Sequence, residues 1–248
     1  MTNPFLYTCL SPALLHLYDV NDSIVVIIDV LRATSTIATA LYNGAESIIP
    51  VDSIAECIEL GKGNDRITAG ERDGHIAEGL EFGNTPFQYT KEFISGKTLV
   101  LTTTNGTKLL HMALAKNPKN IITGSFPNLS AVCKFLISEK KQVILACAAW
   151  KDKINIEDTL FAGAVISKIK DHFTINCDAS GIAESLYLNA KPDLFNFMKL
   201  KEASHYHRLM NYGLEADIRF CLSEDVANIL PLYKNGRLIS AEFTSKDN

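Results

Sequence analysis

Residues 23–36 read SIVVIIDVLRATST, and the fold class follows from them. The run 24–28 is entirely β-branched, as in a strand buried on both faces. Asp29 closes that strand, Arg32 follows, and Thr34, Ser35 and Thr36 open a stretch whose spacing predicts a helix over 34–42. A buried strand passing straight into a helix is half of a parallel α/β unit. In open α/β sheets the carboxyl edge of the strands is where ligands bind, which puts Asp29 and Arg32 where chemistry is expected.

The same alternation continues outward. Strands are expected over 47–51, 66–69, 98–104, 120–124 and 142–147. Helices are expected over 53–60, with Ser53 as N-cap, and over 107–115 and 129–139. After Cys147, Leu160, Phe161, Ala164, Val165 and Ile169 fall at helical spacing. The sum is an α/β fold, three layers α/β/α around a mainly parallel or mixed sheet, in one domain spanning 1–248 or two intimately packed lobes. A shift of 74 residues carries Ile24 onto Thr98, Asn43 onto Asn117 and Ile48 onto Ile122. That echo admits an internal duplication, although α/β units of similar length produce it by themselves, and the plainer reading is preferred. Toward the C-terminus, 180–200 and 204–212 read as helices. Segments 230–234 and 237–243 flank Asn235-Gly236, a dipeptide suited to a two-residue hairpin turn, and 244–248 reads as a loose tail.

Composition bounds the function. Of the 248 residues, 47% are hydrophobic and 21% charged, ample for a folded core. The 24 Lys and Arg against 28 Asp and Glu leave a formal net charge of −4, the wrong balance for a duplex-binding protein, so nucleic acid is not an expected partner. The six cysteines form no C-x-x-C pair and suit a reduced, cytoplasmic protein. The N-terminus makes a poor signal peptide, and no stretch approaches the ~20 apolar residues of a membrane helix. A homodimer is the default assembly.

Four stretches carry candidate chemistry. In the first, 29–36, helix N–H groups suit a phosphate and Arg32 suits a bidentate grip on an oxyanion, although Thr34 or Ser35 serves equally as a plain N-cap. Haloacid-dehalogenase-type phosphatases place a second aspartate two residues after the first; here that position is Leu31, which sets that superfamily aside. The second, 70–84, GERDGHIAEGLEFGN, is glycine-rich and puts Glu71, Arg72 and Asp73 directly after a strand. Glu71 and Asp73 are candidate Mg²⁺ ligands, and the alternative is a solvated turn. The third, 102–107, TTTNGT, offers donors from Thr104, Asn105, Gly106 and Thr107 to an anion, but lacks a P-loop's lysine and spacing. The fourth, 147–163, puts Glu157 and Asp158 at a helix start, where acids are favoured in any case. Cys147 reads as buried and structural, and Trp150 as packing or a lip over the site. His205 and His207 are a conceivable zinc pair but read better as helix-surface residues on different faces. Asp217 finds no place at the sheet edge from sequence.

Together these motifs resemble the 2-phosphosulfolactate phosphatase family. DVLRATSTI from Asp29, AGERDG from Ala69, GNTP from Gly83 (with Asn84), TTTNGT from Thr102 and IEDTLFAG from Ile156 carry the resemblance, with a weaker match in DIRFC from Asp217. The family usually has glycine soon after the strand cysteine, where this chain has Ala148, Ala149 and Trp150, and Phe-Asp where it has Leu80-Glu81. The resemblance implies an α/β, Mg²⁺-dependent phosphatase that splits 2-phospho-3-sulfolactate into 3-sulfolactate and phosphate, a step toward coenzyme M.

The expectation is therefore metal-assisted hydrolysis of a phosphomonoester on a small anionic substrate. Asp29, Arg32, Glu71 and Arg72 would be catalytic, and Asp29, Glu71 and Asp158 would hold Mg²⁺. Thr34, Ser35, Thr36, Asn84, Thr104, Asn105, Gly106 and Thr107 would cradle phosphate. The nucleophile is a metal-bound water or Asp29 itself, with the balance toward water. A non-catalytic binder of phosphorylated or sulfonated acids is the alternative, as is a phosphatase for a different metabolite.

Overall fold

A computed structural model of the chain describes residues 3–72 and 74–241. The tail expected over 244–248, the last two residues of the 237–243 strand and the candidate ligand Asp73 lie outside the described residues.

In chain order the elements are β1 (Phe5–Cys9), β2 (Ile24–Ile28), α1 (Ala33–Tyr42), β3 (Ser47–Pro50), α2 (Ile54–Gly61), β4 (Arg66–Arg72), β5 (His75–Ile76), α3 (Lys91–Ile94), β6 (Thr98–Thr102), α4 (Gly106–Leu114), β7 (Asn120–Gly124), α5 (Leu129–Glu139), β8 (Val143–Cys147), α6 (Ile156–Ile169), β9 (Thr174–Ile175), α7 (Asp178–Ala190), α8 (Leu194–Leu200), α9 (Ser204–Asn211), α10 (Glu215–Cys221), β10 (Pro231–Lys234) and β11 (Arg237–Ser240). The strands form one mixed sheet in the order β5-β4-β6-β3-β11-β10-β7-β2-β8-β1-β9. Helices cover both of its faces, giving the expected three layers.

β2 lies between β7 and β8, parallel to both, and all five of its residues are buried. Because successive side chains point to opposite faces, Val25 and Ile27 join the core beneath α1 and α4, while Ile24, Val26 and Ile28 join the core beneath α5, α6 and α7. β6 repeats the pattern. Leu99 and Leu101 enter the α1/α4 core and Val100 packs with Cys57 of α2 on the other side. Each such side chain fully buried is worth about 1.5–3 kcal/mol.

The sheet pairing follows the 74-residue echo. β2 pairs with β7, Ile24 opposite Asn120, and β6 pairs with β3, Thr98 opposite Ser47. Each strand of the first unit thus lies beside the other strand of the second. Between the two parallel groups sits the β10–β11 hairpin, antiparallel to β7 on one side and β3 on the other. Its turn residues Asn235 and Gly236 have φ of 51° and 82°, the left-handed pair a tight hairpin requires.

Three expectations need correction. The helix read over 180–200 is two helices. Pro192 has no N–H to continue α7, and the Asp193 side chain accepts from the Asn196 N–H at 2.9 Å to start α8 afresh. The strand read over 66–69 runs to Arg72 and carries Glu71 and Arg72 as its last residues. β1, β9 and α10 were not anticipated; β1 enters the sheet between β8 and β9, and its short run becomes a strand only with those neighbours in place.

Candidate active site

One cavity lies at the carboxyl ends of β2, β4 and β6. Asp29, Leu31, Arg32, Glu71, Gly74, Asn84, Thr104, Asn105, Trp150, His205, Arg208 and Leu209 line it. Of the sequence-predicted residues it gathers Asp29, Arg32, Glu71, Asn84, Thr104 and Asn105.

Asp29 is 8% exposed. Its backbone N–H donates to Thr34 Oγ1 at 3.1 Å, and the Thr34 N–H returns to its carbonyl at 2.9 Å, so the turn after β2 closes on itself. Gly106 presses against the carboxylate: a Cβ there would lie 2.8 Å from Asp29 Oδ2 and 3.2 Å from the Ala33 Cβ, so only glycine permits the approach. Burial pushes the Asp29 carboxyl up to about 7. The His205 charge opposes the rise, the nearby Glu71 and Glu157 carboxylates add to it, and a hydrogen bond from the Ala33 N–H opposes it.

Glu71 enters from the end of β4. Its Oε1 accepts the N–H of Thr104 at 3.1 Å and the Thr104 hydroxyl at 2.9 Å, and its Oε2 accepts the Gly74 N–H at 3.0 Å. Arg72 is the next residue on the same strand, so its side chain leaves on the other side. It donates to the Glu71 carbonyl and to Thr102 Oγ1, and lines a separate open cleft with Asp52, Thr103, Thr107, Lys108 and His111.

Arg32 is buried and donates to Asp217 Oδ1 of α10 at 2.7 Å, with a longer bond to the Gly74 carbonyl. Asp217 is therefore the anchor of a guanidinium 185 positions away in sequence. Asn84 is buried with its Oδ1 unpartnered, a free polar group in the wall.

Several expected phosphate ligands lie elsewhere. Thr34, Ser35 and Thr36 are buried behind the cavity. Thr34 caps Asp29, Ser35 Oγ donates to the Val30 carbonyl at 2.8 Å, and Thr36 Oγ1 is buried without a partner. Thr107 bonds Thr103 through both its hydroxyl and its N–H. The hydroxyl-rich stretches are closing strand-to-helix turns, and the N–H groups of Thr34, Thr36 and Thr107 are spent on the chain.

Asp158 is also committed to the backbone. Its Oδ1 accepts the Val30 N–H at 2.9 Å; its Oδ2 accepts the Ala149 N–H at 3.1 Å and the Asn155 amide at 2.9 Å. Burial pushes its carboxyl well above the ordinary range. It ties the turn after β2 to the turn after β8 and does not line the cavity. Among the described residues no three His, Cys, Asp or Glu side chains form a metal-holding group. Asp29 and Glu71 alone still fit Mg²⁺, which takes one or two carboxylates and fills the rest of its shell with water and substrate phosphate. Their mutual repulsion, part of what raises Asp29, is the kind a cation between them relieves.

His205 is the residue the sequence hid. It lines the cavity from α9, and its Nδ1 lies 2.6 Å from Oε1 of the buried Glu157. His207, on the same helix, is exposed, so the surface reading holds for His207 and is corrected for His205. The signal available was Glu157 in IEDTLFAG, an acid buried at a helix start whose partner comes from 48 residues on. Cys147 is buried and its thiol is pushed far up by burial, which makes it a poor nucleophile.

Comparison with known proteins places this arrangement among relatives. Residues 9–236 match the family model of 2-phosphosulpholactate phosphatase. A protein of Thermotoga maritima named probable 2-phosphosulfolactate phosphatase is 42% identical over 218 residues, 88% of this chain and 92% of its own length. Proteins of the same name from Caldanaerobacter subterraneus and Clostridium tetani are 38% and 39% identical, each over 88% of this chain and covering 90% and 92% of their own lengths.

Proposed function

The chain belongs to the 2-phosphosulfolactate phosphatase family, and on that premise we propose that it is a Mg²⁺-dependent phosphoric monoester hydrolase converting 2-phospho-3-sulfolactate to 3-sulfolactate and phosphate. One observation carries the reading: Asp29, a buried carboxyl raised to about 7, shares a cavity with a second carboxylate, a buried arginine and a histidine held by a glutamate.

Asp29 and Glu71 would hold Mg²⁺, which supplies neutralisation of the phosphoryl charge when bound. Arg32, fixed by Asp217, keeps guanidinium donors for the phosphoryl oxygens, and its burial strengthens that interaction. The amides of Asn84 and Asn105, which also line the cavity, add neutral donors. His205, with Nδ1 tied to Glu157, has Nε2 left to hand a proton to the departing alkoxide of the sulfolactate. The phosphate cradle is thus arginine and amides, with the Thr34 and Ser35 hydroxyls holding the turn beneath it. The proposal extends to a cytoplasmic homodimer.

The test is phosphate release from racemic 2-phosphosulfolactate, with Mg²⁺ and with chelator, beside phospholactate and an aryl phosphate. Mg²⁺-dependent release favouring the sulfonated ester is expected. Release from the other esters alone would discard the substrate, and release from none by folded protein with Mg²⁺ would discard the activity.

A further inference from the structure

The cavity holds a second arginine that the phosphoryl chemistry does not use. Arg208 of α9 lines it, and its guanidinium carbon lies 4.2 Å from the centroid of the Trp150 ring. The two arginines differ in what neutralises them. Arg32 is paired with Asp217 at 2.7 Å; Arg208 makes no ion pair with a carboxylate among the described residues. Arg219, one helix away, shows the ordinary alternative, stacked on Phe195 and also paired with Glu215. A stacked guanidinium presents its flat face to the ring and keeps its edge of N–H donors free, the geometry that meets a sulfonate, carboxylate or phosphate in bidentate fashion.

The platform under Arg208 is built, and it is tied to the catalytic turn. Trp150 and Lys153 exchange backbone hydrogen bonds at 2.9 and 3.0 Å across a turn in which Ala149, Lys151 and Asp152 all take positive φ. The turn is held at four points: the Ala149 N–H on Asp158 Oδ2, the Lys151 N–H on Asn105 Oδ1, the Asp152 carbonyl on the Ser11 hydroxyl, and the Asp152 carboxylate on Lys108. Asp158 holds the Val30 N–H with its other oxygen, so one side chain ties the backbone just before Trp150 to the backbone just after Asp29.

We infer that Arg208, seated on Trp150, is the subsite for a second strong anion on the phosphorylated substrate, and that it selects a sulfonate-bearing ester over one with a neutral group at that carbon. The inference rests on the proposed phosphatase activity. The two carboxylates and Arg32 occupy the phosphate end, and an ester entering there carries its remaining charge toward Arg208, which among the described residues makes no ion pair with a carboxylate. Asp29 and Glu71 share the cavity and repel a second anion, and Arg208 supplies the opposing charge beside them.

The experiment compares 2-phosphosulfolactate with phospholactate, which lacks only the sulfonate, in wild type, Arg208→Ala and Arg208→Lys. Arg208→Ala is expected to raise KM for phosphosulfolactate by ten- to a hundredfold, the loss exceeding that for phospholactate by tenfold or more, with Arg208→Lys recovering part of it. Equal losses for the two esters, or none for either, would overturn the subsite. Calorimetric binding of 3-sulfolactate and of lactate to wild type and Arg208→Ala separates this from the activity itself. Should wild type hydrolyse no ester, the phosphatase reading falls, and sulfolactate binding that is insensitive to Arg208→Ala would then dispose of the subsite as well. Sulfolactate binding lost in Arg208→Ala, with lactate weak to both proteins, would uphold it.

Discussion

After β2 and after β6 the chain makes the same move. In each case the first residue beyond the strand donates its N–H to a threonine hydroxyl in the opening turn of the next helix: Asp29 to Thr34 at 3.1 Å, Thr103 to Thr107 at 3.4 Å. The 74-residue offset that relates the strands carries Asp29 onto Thr103. The local devices match, yet the first turn bears a buried carboxylate and a buried guanidinium, and the second bears hydroxyls and a glycine that makes room for that carboxylate. The shared hydroxyl closure is architecture. The charge placed on one copy and withheld from the other is what distinguishes the two turns where they meet at the cavity.

The sharpest way to break this comparison is to remove the charge. Asp29→Asn is expected to lower kcat/KM roughly a thousandfold or more, whereas Thr103→Val costs far less. Stability should move the other way. The folded-state value of about 7 stands above the ordinary 3.8, so the folded protein holds this proton more tightly than the unfolded chain. The burial cost is absent at low pH, grows as pH rises from about 4 through about 7, and is complete above that. In chelator, Asp29→Asn should therefore raise Tm more at pH 8 than at pH 5, by an amount corresponding to at most ~3 kcal/mol. Equal Tm gains at both pH values would contradict the buried-carboxylate account.

A second test contrasts how the two halves are anchored. The charged half is held by the buried Arg32–Asp217 pair, the neutral half by the exposed Lys108–Asp152 pair. Asp217→Ala leaves a buried guanidinium unpaired and is expected to cost about 3–5 kcal/mol in denaturant unfolding. Asp152→Ala should cost ~1 kcal/mol or less. Similar losses would mean the charged turn has no special dependence on its partner.

The finest test is of the likeness itself. Thr34→Val and Thr107→Val each remove a hydroxyl that closes a turn, and each should cost about 1 kcal/mol, a Tm shift of roughly 2–4 °C. Only Thr34→Val should also lower turnover, because only that turn positions Asp29.

Much of this was legible in the sequence because it is local. The β-branched run at 24–28 specifies a buried strand whatever surrounds it, Ser53 caps α2 through the Glu56 N–H as expected, and Asn235-Gly236 specifies its hairpin. Asp29 and Glu71 were readable because a carboxylate at the end of a strand in an α/β sheet faces the ligand edge. Arg72 was misjudged for the same kind of reason: with the strand ended at Ala69, the alternation that sends Glu71 and Arg72 to opposite sides was invisible. Thr34, Ser35 and Thr36 were misassigned because a hydroxyl at a helix start satisfies backbone and phosphate alike, and only the positions of the acceptors decide between them.

The sequence by itself determined the strand and helix periods, the mixed α/β class, the sheet edge that carries the cavity and the family, since each depends on residues within a few positions of one another. The tertiary structure alone decided that the hairpin joins the two parallel groups, that Asp217 neutralises Arg32, that Glu157 holds His205 and that Trp150 carries Arg208. The side-chain pairings among them span 48 to 185 positions of chain, and no local propensity encodes a partner at that range. They exist because packing α9 and α10 over the sheet edge leaves buried charges that must find one another.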